Sequence, residues 1–242
     1  MLGVICCVPR SRNTRPVRDT LLGLPVWRLE LGEQGLLAHR RIVRGGQRLA
    51  ALGTRRVLLP VDFAYGALLE QSGLLPVEPG PLYEALAGPL TLAALKNRGE
   101  EANHARVTLC APRADEALTR AACFLCPRVK RLSLCLEREG AALAKRLYRE
   151  FGAAVELTGE AGGLRVCFSE TDDPTALDVR RPRTLLPGLV LHAPELTLPA
   201  GWPPDAILAA LWQSGRLRAQ CIEVCCADKI NPLTDAKAGT IM

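Results

Sequence analysis

The chain of 242 residues is 48% hydrophobic, 23% charged and 4% aromatic, with a formal net charge of +6. A chain of this length buries enough apolar surface to fold without disulfides or a structural metal, and the scarcity of aromatic residues leaves Leu, Val and Ala to build the core. No apolar run reaches the roughly 18 residues of a membrane span, and the opening MLGVICCVPRSR carries its charges after a short apolar stretch, the reverse of a secretion signal; the expectation is a cytoplasmic protein with no membrane contact.

Residues 3–8 read as an apolar strand, followed by a polar loop holding Arg10, Arg12, Arg15 and Arg18 and by a second strand over 26–31. Over 33–52 the apolar positions Leu36, Leu37, Val43, Leu49 and Leu52 fall at helical spacing. Gly45 and Gly46 are expected to interrupt or weaken that helix, at about 1 kcal/mol each. Arg40, Arg41, Arg44, Arg48, Arg55 and Arg56 crowd the same region and can attract phosphates or other anions. After a Gly53 cap, RVLLPV over 56–61 suits a buried parallel strand with Asp62 beyond its carboxyl end. A helix over 64–71 closes on Gly73, and the Pro-rich connector LLPVEPGP leads to a long helix over 82–98.

From residue 105 the pattern becomes regular: strand RVTLCA, helix RADEALTRAACFLC, strand VKRLSLCL, helix REGAALAKRLYREFG, then strands AAVEL and LRVCF. Helices of this length between strands require right-handed parallel crossovers. In the second of these helices Leu143, Leu147 and Phe151 form an apolar stripe flanked by Ala144 and Tyr148, and Gly152 ends it. A charged loop over 171–183, a short strand over 189–191, a helix over 204–212 and an edge strand over 221–226 follow; the tail 227–242 lacks periodicity and is expected to be loosely ordered. The expected fold is therefore α/β in two lobes, the second a Rossmann-like, mostly parallel sheet with helices on both faces. The divisions are an N-terminal α/β lobe over 1–79, a connecting helix over 80–103, the Rossmann-like lobe over 104–200, and a C-terminal segment over 201–242.

The β, α, β, α, β, β order over 105–168 resembles the cofactor domain of Rossmann dehydrogenases, of the shikimate-dehydrogenase type. What the resemblance implies is sharpest in LCLEREGAALAKRL, which puts Glu137 and Arg138 where such domains hold an acid for a ribose diol or an arginine for a 2′-phosphate. The first turn departs from the pattern. Where the family carries G-x-G-x-x-G this chain reads CAPRADEA, with no glycine to admit a pyrophosphate and with Asp115 and Glu116 in the first helical turn. No NAD(P) and no other cofactor is expected. Arg113 in that turn can still draw a different anion. Because ligands of open α/β sheets bind beyond the carboxyl ends of the strands, Asp62, Arg113, Glu137, Arg138, Ser169 and Glu170 are nominated as one rim.

Ten cysteines are read as reduced thiols, with Cys110, Cys135 and Cys167 alternating with aliphatic residues as small hydrophobes in strands. Cys123 and Cys126 form a CxxC at the end of a predicted helix, opposite to the N-terminal position that lowers a thiol pKa. Cys221, Cys225 and Cys226 match no zinc-ribbon spacing, so no metal is expected. His39, His104 and His192 stand in no motif, and no nucleophile elbow, Walker loop or H-E-x-x-H occurs. The function expected is binding of a small anionic metabolite or nucleotide in a cleft between the lobes, through a degenerate dinucleotide site. The alternative is a noncatalytic regulatory protein whose tail or arginine clusters contact a protein partner. Nucleic acid is not an expected partner, because no RRM, KH, helix-turn-helix or aromatic-interleaved basic motif accompanies the arginines.

Overall fold

A computed structural model describes residues 1–9, 14–32, 37–157, 162–180 and 188–226; the expected loose tail over 227–242 lies outside them. The chain forms two compact units, Met1–Leu82 with Ala193–Cys221, and Tyr83–His192 with the described residues after Cys221. The units are thus discontinuous, whereas the sequence was divided into consecutive segments. The reason lies in contacts at long sequence separation. Trp202 Nε1 donates to Ile5 O at 2.8 Å and Val61 N to Gly201 O at 3.1 Å, which ties the segment after 193 to the first unit.

The first unit holds β1 (Leu2–Cys7), β2 (Val17–Leu21), β3 (Leu24–Leu31), α1 (Ala38–Ala51), β4 (Arg56–Leu58), α2 (Gly66–Glu70) and β5 (Leu75–Pro76). Its sheet runs β2-β3-β1-β4-β5, parallel except for the β2/β3 hairpin. Leu22 and Gly23, with φ of 47° and 77°, make the two-residue turn. The polar loop expected before residue 26 therefore contains a strand, and its side chains are exposed along an edge, so it lacks the alternation that marks a half-buried strand. Gly45 and Gly46 do not interrupt α1. A Cβ on Gly45 would sit 3.0 Å from Leu29 and Leu31 side-chain carbons, and one on Gly46 3.0 Å from Leu69, so the glycines let α1 lie close against β3 and α2 around the core of Ile5, Leu29, Leu31, Ile42, Leu49, Val57, Leu69 and Leu74. The expected strand over 56–61 stops at Leu58.

The single helix expected over 82–98 is two, α3 (Gly80–Ala85) and α4 (Ala87–Asn97). Pro89 lacks an N–H and its ring would clash with the carbonyl four residues earlier, that of Ala85, where α3 ends.

The second unit continues with β6 (Arg106–Arg113), α5 (Glu116–Leu125), β7 (Arg131–Arg138), α6 (Gly140–Phe151), β8 (Glu156–Leu157), β9 (Leu164–Cys167) and β10 (Leu177–Asp178). The five strands pair in the order β10-β9-β6-β7-β8, every pair parallel. Numbered from β6 and read from β8, that is 3-2-1-4-5, the doubly wound Rossmann order. Helices α4, α5 and α6 flank the sheet. Val107, Leu109, Leu134, Leu164 and Val166 are fully buried or nearly so, each contributing about 1.5–3 kcal/mol relative to exposure. The stripe on α6 is shorter than expected: Leu143 and Leu147 are buried, but Tyr148 and Phe151 are exposed. Gly152, at φ 68°, ends the helix as expected. The charged loop over 171–183 contains the two-residue strand β10. Strands β11 (Leu189–His192) and β12 (Glu223–Cys226) form a separate antiparallel pair, and between them α7 (Pro204–Gln213) belongs to the first unit. No helix among the described residues is long and apolar enough to cross a membrane.

Candidate functional site

Parallel pairing brings the carboxyl ends of β6, β7, β8 and β9 to one edge of the second sheet. The strand order turns back at β6, with β7 and β8 on one side of it and β9 and β10 on the other, the kind of place where open α/β sheets leave a crevice. A crevice of about 710 Å³ lies there, lined by Cys110 to Pro112 at the end of β6, Leu134 to Arg138 of β7, Glu139 to Ala141 at the start of α6, Leu157 of β8 and Ser169 just past β9. Of the six residues nominated from sequence, Glu137, Arg138 and Ser169 share its wall. Arg113 is the register partner of Arg138 on the neighbouring strand, and both side chains are exposed. Glu170 follows Ser169 and is exposed. Asp62 belongs to the first unit, in a turn with φ 60°.

Registered residues on adjacent parallel strands point to the same side, about 4.8 Å apart. Arg113 and Arg138 therefore present two like charges side by side, an arrangement that is unfavourable until an anion bridges it. Glu137 and Glu139 add carboxylates suited to hydroxyl donors. Glu139 itself has φ 64° and ψ 2°, a left-handed conformation that costs a non-glycine residue about 1–2 kcal/mol. Strain of this kind gathers at functional turns. Glu139 is the N-cap of α6 but its side chain does not cap the helix. The first-turn amides of a 12-residue helix thus lie at the crevice rim beside Arg138, an arrangement favourable to an anion. Gly140 is small for packing: a Cβ there would sit 3.1 Å from Leu157 Cδ2.

The turn after β6 is built differently. Strand β6 runs on to Arg113, and Pro112 contributes no N–H. Asp115 is the N-cap of α5, its Oδ1 accepting from Leu118 N at 2.8 Å, and Glu116 pairs with Arg120 at 2.8 Å. The carboxylate that the sequence put in the first helical turn thus occupies the helix end where a Rossmann domain holds pyrophosphate.

Sequence reasoning missed Glu139, Pro112 and the cysteines of the crevice. Nothing in the residue type announces a left-handed Glu, whereas the strand ends legible in CAPR and LCLER were signal enough for Pro112, Cys110 and Cys135. Cys123 and Cys126 sit at the end of α5, as expected. Burial, then the charge of Glu150, pushes the Cys123 thiol up; burial, then Cys123, pushes up Cys126. His104 lies 3.6 Å from Glu101 on the surface, and His39 and His192 are exposed on α1 and β11. No group of three ligand side chains that could hold a metal occurs among the described residues.

The chain matches no protein-family model and no curated protein. Among solved structures it is similar to L-tryptophan dehydrogenase from Nostoc punctiforme, at 12% identity over 73% of this chain and 60% of that one, with a TM-score of 0.32. It is also similar to shikimate 5-dehydrogenase from Listeria monocytogenes, a structure in complex with shikimate and NAD, at 14% identity over 76% of this chain and 74% of that one, with a TM-score of 0.26. The chain spans 60% of the length of the first. Likenesses this weak carry no functional argument, and the Rossmann-like character of the second unit rests on its own strand order and all-parallel pairing.

Proposed function

We propose that the crevice at the carboxyl edge of the second sheet binds a small phosphorylated metabolite, of the size and chemistry of a mononucleotide, and that the protein does not use NAD(P). The observation that carries this reading is the meeting of Glu137, Arg138 and Ser169 in one crevice of about 710 Å³, a volume within the 300–1,000 Å³ typical of small-molecule sites. Arg138, with Arg113 beside it and the uncapped start of α6, offers a phosphate charge and amide donors; Glu137 offers an acceptor for ribose or sugar hydroxyls. Asp115 at the start of α5 supports the exclusion of a dinucleotide, since a second phosphate would meet a carboxylate already hydrogen-bonded to the Leu118 amide. The reading assigns binding and no reaction. A reducing, cytoplasmic setting is supported by the nine free cysteines among the described residues.

Calorimetric titration tests it with adenosine 5′-monophosphate and NAD as probes. The expected result is saturable binding of the mononucleotide and no gain in affinity for NAD. NAD binding more than about tenfold tighter than the mononucleotide, a difference of about 1.4 kcal/mol, or no binding of either at millimolar concentration, overturns it.

A further inference from the structure

Two cysteines of the crevice wall, Cys110 and Cys135, belong to a row of three that ligand binding does not use. Cys110 of β6 is the register partner of Cys135 on β7 and of Cys167 on β9. Three thiols on three adjacent parallel strands thus lie side by side on one face of the sheet. Cys110 and Cys167 are buried against Ala176, with Cys135 packed beside them. Cys110 and Cys135 also line the crevice, and Cys167, 2% exposed, lies behind that wall beside Cys110.

We propose that Cys110 and Cys167 are a peroxide-oxidisable dithiol, a modification site that closes reversibly to a disulfide between β6 and β9. Neighbouring strands about 4.8 Å apart place registered Cα atoms inside the 4.4–6.8 Å span of disulfides, so the bond needs only a local adjustment of the two strands. Cys110 donates a hydrogen bond to the Cys167 sulfur; its other acceptor, Thr108 O, is 3.9 Å away, long even for a thiol donor. That hydrogen bond, aided by the Arg165 guanidinium and a Thr171 hydrogen bond, outweighs burial and the repulsion of Asp178 and pulls the Cys167 thiol below its ordinary range, while Arg165 also hydrogen-bonds Cys110. Cys110, the donor, is pushed well up. Arg165 is held in place by Asp173 at 3.2 Å. An adjacent cation and a donated hydrogen bond are what make a thiolate available near neutral pH. The CxxC at the end of α5 has the opposite setting, with both thiols pushed up.

The chemistry balances with hydrogen peroxide as oxidant. The Cys167 thiolate attacks one peroxide oxygen, the O–O bond breaks, and hydroxide leaves with a proton as water while the sulfur becomes a sulfenic acid. Cys110 then attacks that sulfur, the S–O bond breaks, and the second oxygen leaves as water with the Cys110 proton. Two thiols give up two electrons, one peroxide becomes two waters, and one S–S bond forms. Side chains in register on parallel strands stand farther apart than relaxed disulfide Cβ atoms, and the resulting strain makes the bond easy to reduce.

Peptide mapping tests the inference on the full chain and does not depend on the ligand proposed above. Trypsin releases Cys110 in 107–113, Cys135 in 132–138 and Cys167 in 166–180, with Cys123 and Cys126 together in 121–128. Reduced protein is treated with hydrogen peroxide, remaining thiols are blocked with N-ethylmaleimide, and the digest is weighed. The expected product joins 107–113 to 166–180 with the loss of two hydrogens, disappears on dithiothreitol treatment and is absent from Cys167→Ser, while 121–128 stays alkylated. The inference is overturned if Cys110 and Cys167 are both still alkylated at a dose that oxidises exposed Cys221, or if 107–113 is joined to 132–138 instead. The wild-type digest alone decides between these outcomes, so a variant that fails to fold does not weaken the test.

Discussion

Replacing Asp115 with Ala tests the proposal that this carboxylate closes the β6–α5 turn to a pyrophosphate. The substitution removes the acceptor that Leu118 N reaches at 2.8 Å, a loss of about 1 kcal/mol for an N-cap residue. It also removes a carboxylate from the positive end of α5, about 0.3–1 kcal/mol more. The Glu116–Arg120 pair remains, but at an exposed site it contributes little. The sum of about 1–2 kcal/mol corresponds to a fall in Tm of roughly 2–8 °C for a chain of this size. Asp115→Asn keeps the cap acceptor and loses only the charge, so it should cost less than about 1 kcal/mol. The second consequence is functional. With the carboxylate gone, the amides of α5 are free to receive an anion, so inorganic phosphate should raise the Tm of the Ala variant more than that of the wild type. Thermal unfolding with and without phosphate reads both effects. An Ala variant as stable as the wild type, with the same response to phosphate, would refute the assignment of Asp115 as the group that closes this turn.

Three further outcomes follow from other parts of the second unit. Gly163 has φ 77°, and a Cβ there would lie 2.1 Å from Arg106 O; Gly163→Ala adds left-handed strain of about 1–2 kcal/mol to a backbone clash at the start of β6, and urea unfolding should show a loss of several kcal/mol, a loss under about 1 kcal/mol arguing against the close approach. Arg138→Ala should weaken mononucleotide binding about tenfold or more, in line with the loss of a charge-assisted contact of roughly 1.5–3 kcal/mol, while leaving the exposed strand end as stable as before; unchanged affinity in calorimetry counts against the crevice. Asp173 is held below its ordinary carboxylate range by hydrogen bonds from the Thr175 hydroxyl at 2.7 Å and amide at 2.9 Å, and then by Arg165. A folded-state pKa lowered in this way stabilises the protein fully above the unfolded value of 3.8, and the contribution is lost as pH falls through the folded value. The Tm of Asp173→Asn should therefore change less steeply with pH below about 4 than that of the wild type, and equal slopes would show that the carboxylate is not held.

The second unit was more legible in the sequence than the first because its strands announce themselves by burial. RVTLCA and VKRLSLCL alternate or run apolar, the helices between them have apolar faces, and Gly152 marks a helix end by a left-handed cap. Strand β2 carries Arg18, Asp19 and Thr20 on an exposed edge and shows no pattern. Strands β5 and β10 are two residues long, shorter than any periodicity. Gly45 and Gly46 were misread because helix propensity counts their cost and cannot count the close approach to Leu29, Leu31 and Leu69 that they permit. For the site, strand ends pointed to Glu137, Arg138 and Ser169, and the rule of carboxyl-end crevices brought them together. It also named Asp62, because the sequence shows a strand before it but not which sheet that strand joins. The cysteine row stayed hidden for a related reason: residues 110, 135 and 167 become neighbours only through register, which no local pattern states.

The most direct test of the central claim is a crystal structure with adenosine 5′-monophosphate bound. The phosphate is expected at the start of α6, within hydrogen-bonding distance of Arg138 and the Gly140 and Ala141 amides, with a ribose hydroxyl on Glu137 and the Asp115–Leu118 cap intact. A phosphate seated on the start of α5 with Asp115 displaced, or a nucleotide bound away from this crevice, would contradict it.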